Sequence, residues 1–115
     1  METLIRKYVA GWLKGDADAI VALLADNCTI IESHGPTYRG VEEVRRWVSK
    51  WNKQGSRVDK WDVVSFHEMP PEGAVFEWHF ECTVEGEKHI LDGISTVQFK
   101  SGRIDYMREY RSVKR

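Results

Sequence analysis

From Ala74 to Tyr110 the chain alternates apolar and polar side chains. Phe76, Trp78, Phe80, Cys82 and Val84 interleave with Glu77, His79, Glu81, Thr83 and Glu85. A period of two marks a strand with one buried and one wet face. Glu85-Gly86-Glu87-Lys88 reads as a turn, a second strand follows to Phe99, and Ser101-Gly102 turns into a third that runs to about Tyr110. Upstream the period changes. Leu4, Ile5, Tyr8, Val9, Trp12 and Leu13 form one stripe of a helix over 3–14. Gly15 ends that helix and Asp16 is placed to cap the next, whose apolar face is Ile20, Leu23 and Leu24. Asp26-Asn27 is expected to stop it. Cys28 to Ser33 is a β-branched run and reads as a strand, broken by Gly35-Pro36.

A third helix is predicted from Gly40, with Val41, Val44, Trp47, Val48 and Trp51 on one face. Its other face carries Glu42, Glu43, Arg45, Arg46 and Lys50, and Glu42 with Arg46 makes a favourable pair one turn apart. Gln54-Gly55 closes the helix. Val58 to Phe66 is strand-like and contains Trp61; Glu68 to Gly73 is a turn. The predicted order is α-α-β-α-β-β-β-β, an α+β fold with three N-terminal helices on one face of an antiparallel sheet.

At 115 residues the chain is one domain, 1–115, long enough to bury roughly two-thirds of its unfolded surface. A net charge of −1 argues against a nucleic-acid or membrane-surface binder, which needs a basic excess. Arg108, Arg111, Lys114 and Arg115 make the end locally basic and read as a solvated tail. Cys28 and Cys82 sit within apolar strand patterns and read as small core residues in a reducing compartment. Glu2, Arg6 and Lys7 interrupt any apolar leader, and no run approaches the length of a membrane span, so the cytoplasm is the expected location. His34, His67, His79 and His89 lack metal-ligand spacing, and no phosphate-loop, dinucleotide or serine-elbow motif occurs. No cofactor and no metal are expected.

Several segments together resemble a known family. YVAGWLKGDADAIVALLADNCTIIES is similar to the opening of the SnoaL-like branch of the nuclear-transport-factor-two-like superfamily, neighbours of the ketosteroid isomerases. YRGVEEVRRWV resembles the helix after that family's G-x-x-x-I/V signal, and the hairpins through LDGISTVQFKSGRIDYMREY resemble those of an uncharacterised bacterial subgroup. The resemblance implies a cone-shaped α+β roll (cystatin-like), a ligand cavity between the concave sheet face and the helices, and a homodimer through the convex face. It also implies a small-molecule site, with the chemistry left open because this fold hosts unrelated activities.

The resemblance assigns site residues too. Glu32 aligns with the catalytic base of the isomerases, with Ile30 and His34 on its face. Tyr8 aligns with the tyrosine that donates to the oxyanion. Ser95 stands where the second donor is ordinarily a protonated Asp; a hydroxyl is the weaker donor, so that oxyanion hole is incomplete. Parity on the last strand turns Met107 and Glu109 inward and Tyr106, Arg108 and Tyr110 outward. The candidate catalytic set is Glu32, Glu109, His34 and Tyr8. Trp12, Trp47, Trp51, Trp78, Phe80, Ser95 and Met107 are the candidate ligand-binding residues.

Two acids in one apolar cavity would raise each other's pKa, leaving one as acid and one as base. That supports proton transfer of isomerase, cyclase or dehydratase type on a small apolar substrate. The alternatives are a ligand-binding or dimer-assembly domain whose carboxylates are locked by partners, and a cone filled as plain core. Trp47 and Trp51 suit either core or cavity. Gly93 is expected to mark a bulge or kink, and Asp92 to face outward. Ile90, Ile94, Ile104, Tyr106 and Tyr110 are expected on the outward face, where a dimer would cover them.

Overall fold

The computed structural model describes residues 1–112. Helices α1 (Glu2–Lys14), α2 (Ala17–Val21) and α3 (Gly40–Lys53) cover one face of a six-stranded sheet. Its strands are β1 (Leu24–Ile31), β2 (Thr37–Arg39), β3 (Arg57–Met69), β4 (Gly73–Val84), β5 (Glu87–Lys100) and β6 (Arg103–Arg111), in spatial order β2-β1-β6-β5-β4-β3. The sheet is curved and unclosed, the expected α+β roll. Among the described residues no helix is long and apolar enough to cross a membrane.

The helical signals act as the sequence predicts. Gly15 adopts φ +64° and closes α1, because a left-handed residue lets its N–H reach back to the last carbonyls. The Asp16 carboxylate accepts from the Ala19 N–H at 3.1 Å and starts α2. The Asn52 side chain of α3 donates to the Gly15 carbonyl at 2.9 Å, tying the α1 end to α3.

Several details differ. α2 stops at Val21, and Asp26-Asn27 lies inside β1 rather than ending a helix. Pairing wins there: Leu24 is already partnered with Ile104, and the Ile104 N–H donates to the Leu23 carbonyl at 2.9 Å. A short strand, β2, folds back antiparallel on β1 before α3, an element too brief for a periodic pattern to reveal. The sheet is antiparallel at every neighbouring pair but one: β1 runs parallel to β6, with Ile30 beside Met107 and Ile31 beside Arg108. Finally, Ile104 is fully buried rather than outward. The pairing slips between Gln98 and Phe99, so Gln98 meets Tyr106 while Phe99 meets Ile104. One extra residue on β6 lets Ile104 and Met107, three apart, both point inward.

Similar slips in β3, between Val58 and Lys60 and between Val63 and Ser65, add local twist. The first turns both Val58 and Trp61 inward despite their odd spacing. Gly93 does not bulge; its pairing with Trp78 and Arg111 is in step with its neighbours. Its lack of a side chain is needed for another reason. A Cβ there would lie 2.1 Å from the Tyr110 carbonyl oxygen and 2.7 Å from the Trp78 ring.

The roll has a filled end and a hollow end. Ile5, Ile20, Leu24, Phe76, Val97, Phe99, Ile104 and Met107 close the first as a continuous core. Cys28 and Cys82 are buried, unbonded thiols, as their strand positions predicted. On the convex face His79 sits between Asp92 (2.6 Å) and Glu81 (2.8 Å), and Lys88 reaches Glu81 at 3.0 Å. These contacts raise the His79 pKa, Glu81 being the larger cause. Asp92 thus faces outward, in an ion cluster. Arg108 lies over the Tyr110 ring on that face, whereas Arg111 turns to the cavity mouth; both belong to β6 and not to a tail. Lys114 and Arg115 lie outside the described residues.

Gly93→Ala is expected to cost about 3 kcal/mol or more, because backbone and a packed indole must both shift. Urea denaturation against wild type measures it.

Candidate functional site

The hollow end is a cavity of about 590 Å³, within the usual range for small-molecule sites. Each wall follows from an element's period. α1 contributes Tyr8 and Trp12, one turn apart; α3 contributes Trp47 and Trp51, again one turn apart. β4 contributes Trp78, Phe80, Cys82 and Val84 by alternation, and β5 contributes His89 and Leu91 opposite Cys82 and Phe80. Val58 and Trp61 enter from β3, and Glu109 and Arg111 from the end of β6. Glu32, Ser33 and His34 line the cavity just past the end of β1.

The aromatic groups touch in two clusters. Trp12 packs against Trp47 (ring centroids 4.6 Å apart) and edge-on to Trp51 (6.1 Å). Trp61 meets both Tyr8 (6.0 Å) and Phe80 (5.3 Å) edge-on. Edge-to-face contacts at these distances add stabilisation beyond area burial.

The two acids come together because β1 and β6 are parallel. Ile31 pairs with Arg108, so continuing that register sets Glu32 beside Glu109. Adjacent strands lie about 4.8 Å apart. The Glu32 carboxylate accepts from the Tyr38 hydroxyl at 2.7 Å, and the Tyr38 ring stacks flat on Trp47 (centroids 4.0 Å, planes 4° apart). His34 Nδ1 stands 3.9 Å from the other Glu32 oxygen. Burial, followed by the charge of Glu32, pushes the Glu109 pKa up to about 8, with the Ser33 backbone N–H pulling weakly the other way. Burial also raises the Tyr8 pKa, helped by Glu109, and that of Tyr38, helped by its bond to Glu32. Both phenols therefore remain donors at neutral pH.

Nine of the eleven sequence-predicted residues line this cavity: Glu32, Glu109, His34, Tyr8, Trp12, Trp47, Trp51, Trp78 and Phe80. Ser95 and Met107 do not; both are fully buried behind the wall. The Trp78 indole lies across Gly93 and donates to the Ser95 hydroxyl at 3.0 Å, screening it from the cavity. Met107 packs into the filled end, level with Ile30 and Val97.

Sequence reasoning missed Tyr38, Trp61 and Arg111 as site residues. Tyr38 lies on a three-residue strand with no period to read. Trp61 depends on a slip in pairing, and Arg111 passed for part of a tail although parity from Glu109 already pointed it inward. Among the described residues no group of three or more His, Cys, Asp or Glu is arranged to hold a metal ion.

The curved roll with its hollow, aromatic-lined end has relatives among known proteins. Residues 5–107 match the SnoaL-like domain, so the chain belongs to that family. No curated protein matches it significantly. A hypothetical protein with a ketosteroid isomerase-like fold from Catenulispora acidiphila DSM 44928, solved in complex with trimethylamine, is 15% identical with a TM-score of 0.83 over 96% of this chain and 85% of its own. A proposed polyketide cyclase from Xanthomonas campestris pv. campestris is 17% identical (TM-score 0.77; 96% and 89% covered). A proposed isomerase from Bacillus subtilis is 18% identical (TM-score 0.82; 96% and 84% covered). At these identities the structural likeness establishes the fold.

The raised Glu109 pKa makes stability fall with pH. The folded state holds a proton that the unfolded state releases above its ordinary value of 4.5, so the native state loses ground from there until about pH 8. Glu109→Gln is expected to flatten this slope, gaining on wild type steadily between pH 5 and 8. Chemical denaturation at four pH values measures the difference.

Proposed function

We propose that this SnoaL-like domain binds a small apolar molecule in its hollow end and moves a proton on it without a cofactor. The observation that carries this reading is the pair Glu32 and Glu109, side by side in an aromatic cavity, with Glu109 pushed up to about 8. At neutral pH Glu109 holds a proton and serves as the acid, and the Glu32 carboxylate serves as the base. The Tyr38 hydrogen bond orients Glu32 through a ring braced on Trp47. Tyr8 borders the cavity with its hydroxyl buried, so it supports the wall behind the two acids. His34, at the mouth, is placed to relay a proton between Glu32 and water. Isomerisation, cyclisation and dehydration all fit this set, and the proposed cyclase and isomerase among the structural neighbours support that range.

A second reading, ligand binding without turnover, draws on the same Tyr38–Glu32 contact, because a carboxylate held by a partner is also what a structural lock looks like. Ring-opening of 5-nitrobenzisoxazole separates the two. A buried base removes its C3 proton as the N–O bond breaks, so turnover reports proton abstraction directly. Wild type is expected to catalyse it, and Glu32→Gln is expected to lose about 100-fold or more. Equal rates in a folded Glu32→Gln protein would leave the binding reading.

We also infer a homodimer through the convex face, supported by the exposure of Ile90 (60%), Ile94 (41%) and Tyr110 (43%) there. Sedimentation equilibrium at micromolar concentration is expected to give twice the monomer mass, and a monomer would refute it.

A further inference from the structure

The cavity wall carries its charges at two levels. Glu32 and Glu109 stand side by side, and Arg111 follows Glu109 by two residues on the same face of β6. Two residues of extended strand span about 7 Å, which sets Arg111 apart from the acids and toward solvent. Arg111 is exposed, as are His34 and His89 on the same wall. Among the described residues it is the one lysine or arginine that lines the cavity, and it enters no ion pair. Its backbone pairs with Gly93, and just past it the Ser112 N–H donates to the Asp92 carbonyl at 2.9 Å, so the side chain springs from a fixed root. The Asp92 carboxylate does not neutralise it, because it lies on the convex face, 2.6 Å from His79. Nor do the cavity acids: Glu109 responds to burial, to Glu32 and to the Ser33 N–H, with no pull from a guanidinium.

We propose that the molecule bound in the hollow end is an apolar carboxylic acid, held with its carboxylate at the mouth on Arg111 and its body among the tryptophans, which makes Arg111 a specificity-determining residue. The proposal rests on reading the hollow end as a ligand site, and it gives the apolar molecule one charged end. The orientation follows from sign. A carboxylate pushed inside would lose its water and meet the charge of Glu32. Turned outward, it meets a planar guanidinium that offers two parallel N–H groups, and it keeps part of its hydration. The aromatic body then fills the space that the rings line. An ammonium end is the strongest competitor, because ring faces and carboxylates both attract it, but it must enter past a cation. A neutral polar end gains hydrogen bonds at the mouth without the charge.

Three probes that share one body decide it: 4-cyclohexylbutanoate, 4-cyclohexylbutanamide and 4-cyclohexylbutylammonium, titrated at pH 7 and low salt by tryptophan fluorescence. The butanoate is expected to bind about threefold to tenfold more tightly than the amide, and the ammonium most weakly. Arg111→Gln should abolish the preference for the butanoate with amide affinity unchanged, and Arg111→Lys should keep part of it. Added salt should shrink the preference, since the pair forms at an exposed mouth. Should the glutamine variant fail to fold, the Arg111 Nε–H signal of wild type in ¹H–¹⁵N spectra gives the same answer: the butanoate should move it and the amide should not. Equal binding of acid and amide, a preference that survives in Arg111→Gln, an unmoved Arg111 signal, or tightest binding of the ammonium would each overturn this proposal and leave the ligand site standing. No binding by any probe would overturn both. The nitrobenzisoxazole assay needs no carboxylate, so its outcome bears on proton transfer alone.

Discussion

The parallel pairing of β1 with β6 is the constraint on which the site depends. It joins the first strand to the last and sets Ile31 against Arg108. Glu32 and Glu109 then arrive at the same height on the same face. A slip of one residue would turn one acid to the other side of the sheet, since side chains alternate strictly. The register adds the charge of Glu32 to the burial that chiefly raises the Glu109 pKa.

The sheet's irregularities serve the same end. Slips in β3 and between β5 and β6 break the alternation where Trp61 and Ile104 must both turn inward. Gly93 admits the Trp78 ring against the β5 backbone, and that ring hides Ser95 while walling the cavity. One end of the roll therefore packs to core density, and the other stays open with aromatic sides.

The open end carries a stability cost that a plain core would avoid. The buried Glu109 carboxyl is unfavourable there, since a polar group that loses water must find other partners. The aromatic contacts from Trp12 to Trp47 and from Trp61 to Tyr8 and Phe80 offset part of it.

Sequence alone determined the local elements and their faces. Period and punctuation placed α1, α3 and the β4–β6 hairpins, because apolar stripes, Gly15 and Asp16 act through neighbours in the chain. The resemblance in those segments, together with parity, nominated nine of the residues that line the cavity. Tertiary structure decided what depends on distant partners. It supplied the parallel β1–β6 register, the two-versus-one slips that moved Ile104 and Trp61, and the rings of Trp78 and Tyr38 that hid Ser95 and seized Glu32. No local pattern encodes these, because each is a contact between segments far apart in the chain, fixed only when the sheet curls and the helices cover it.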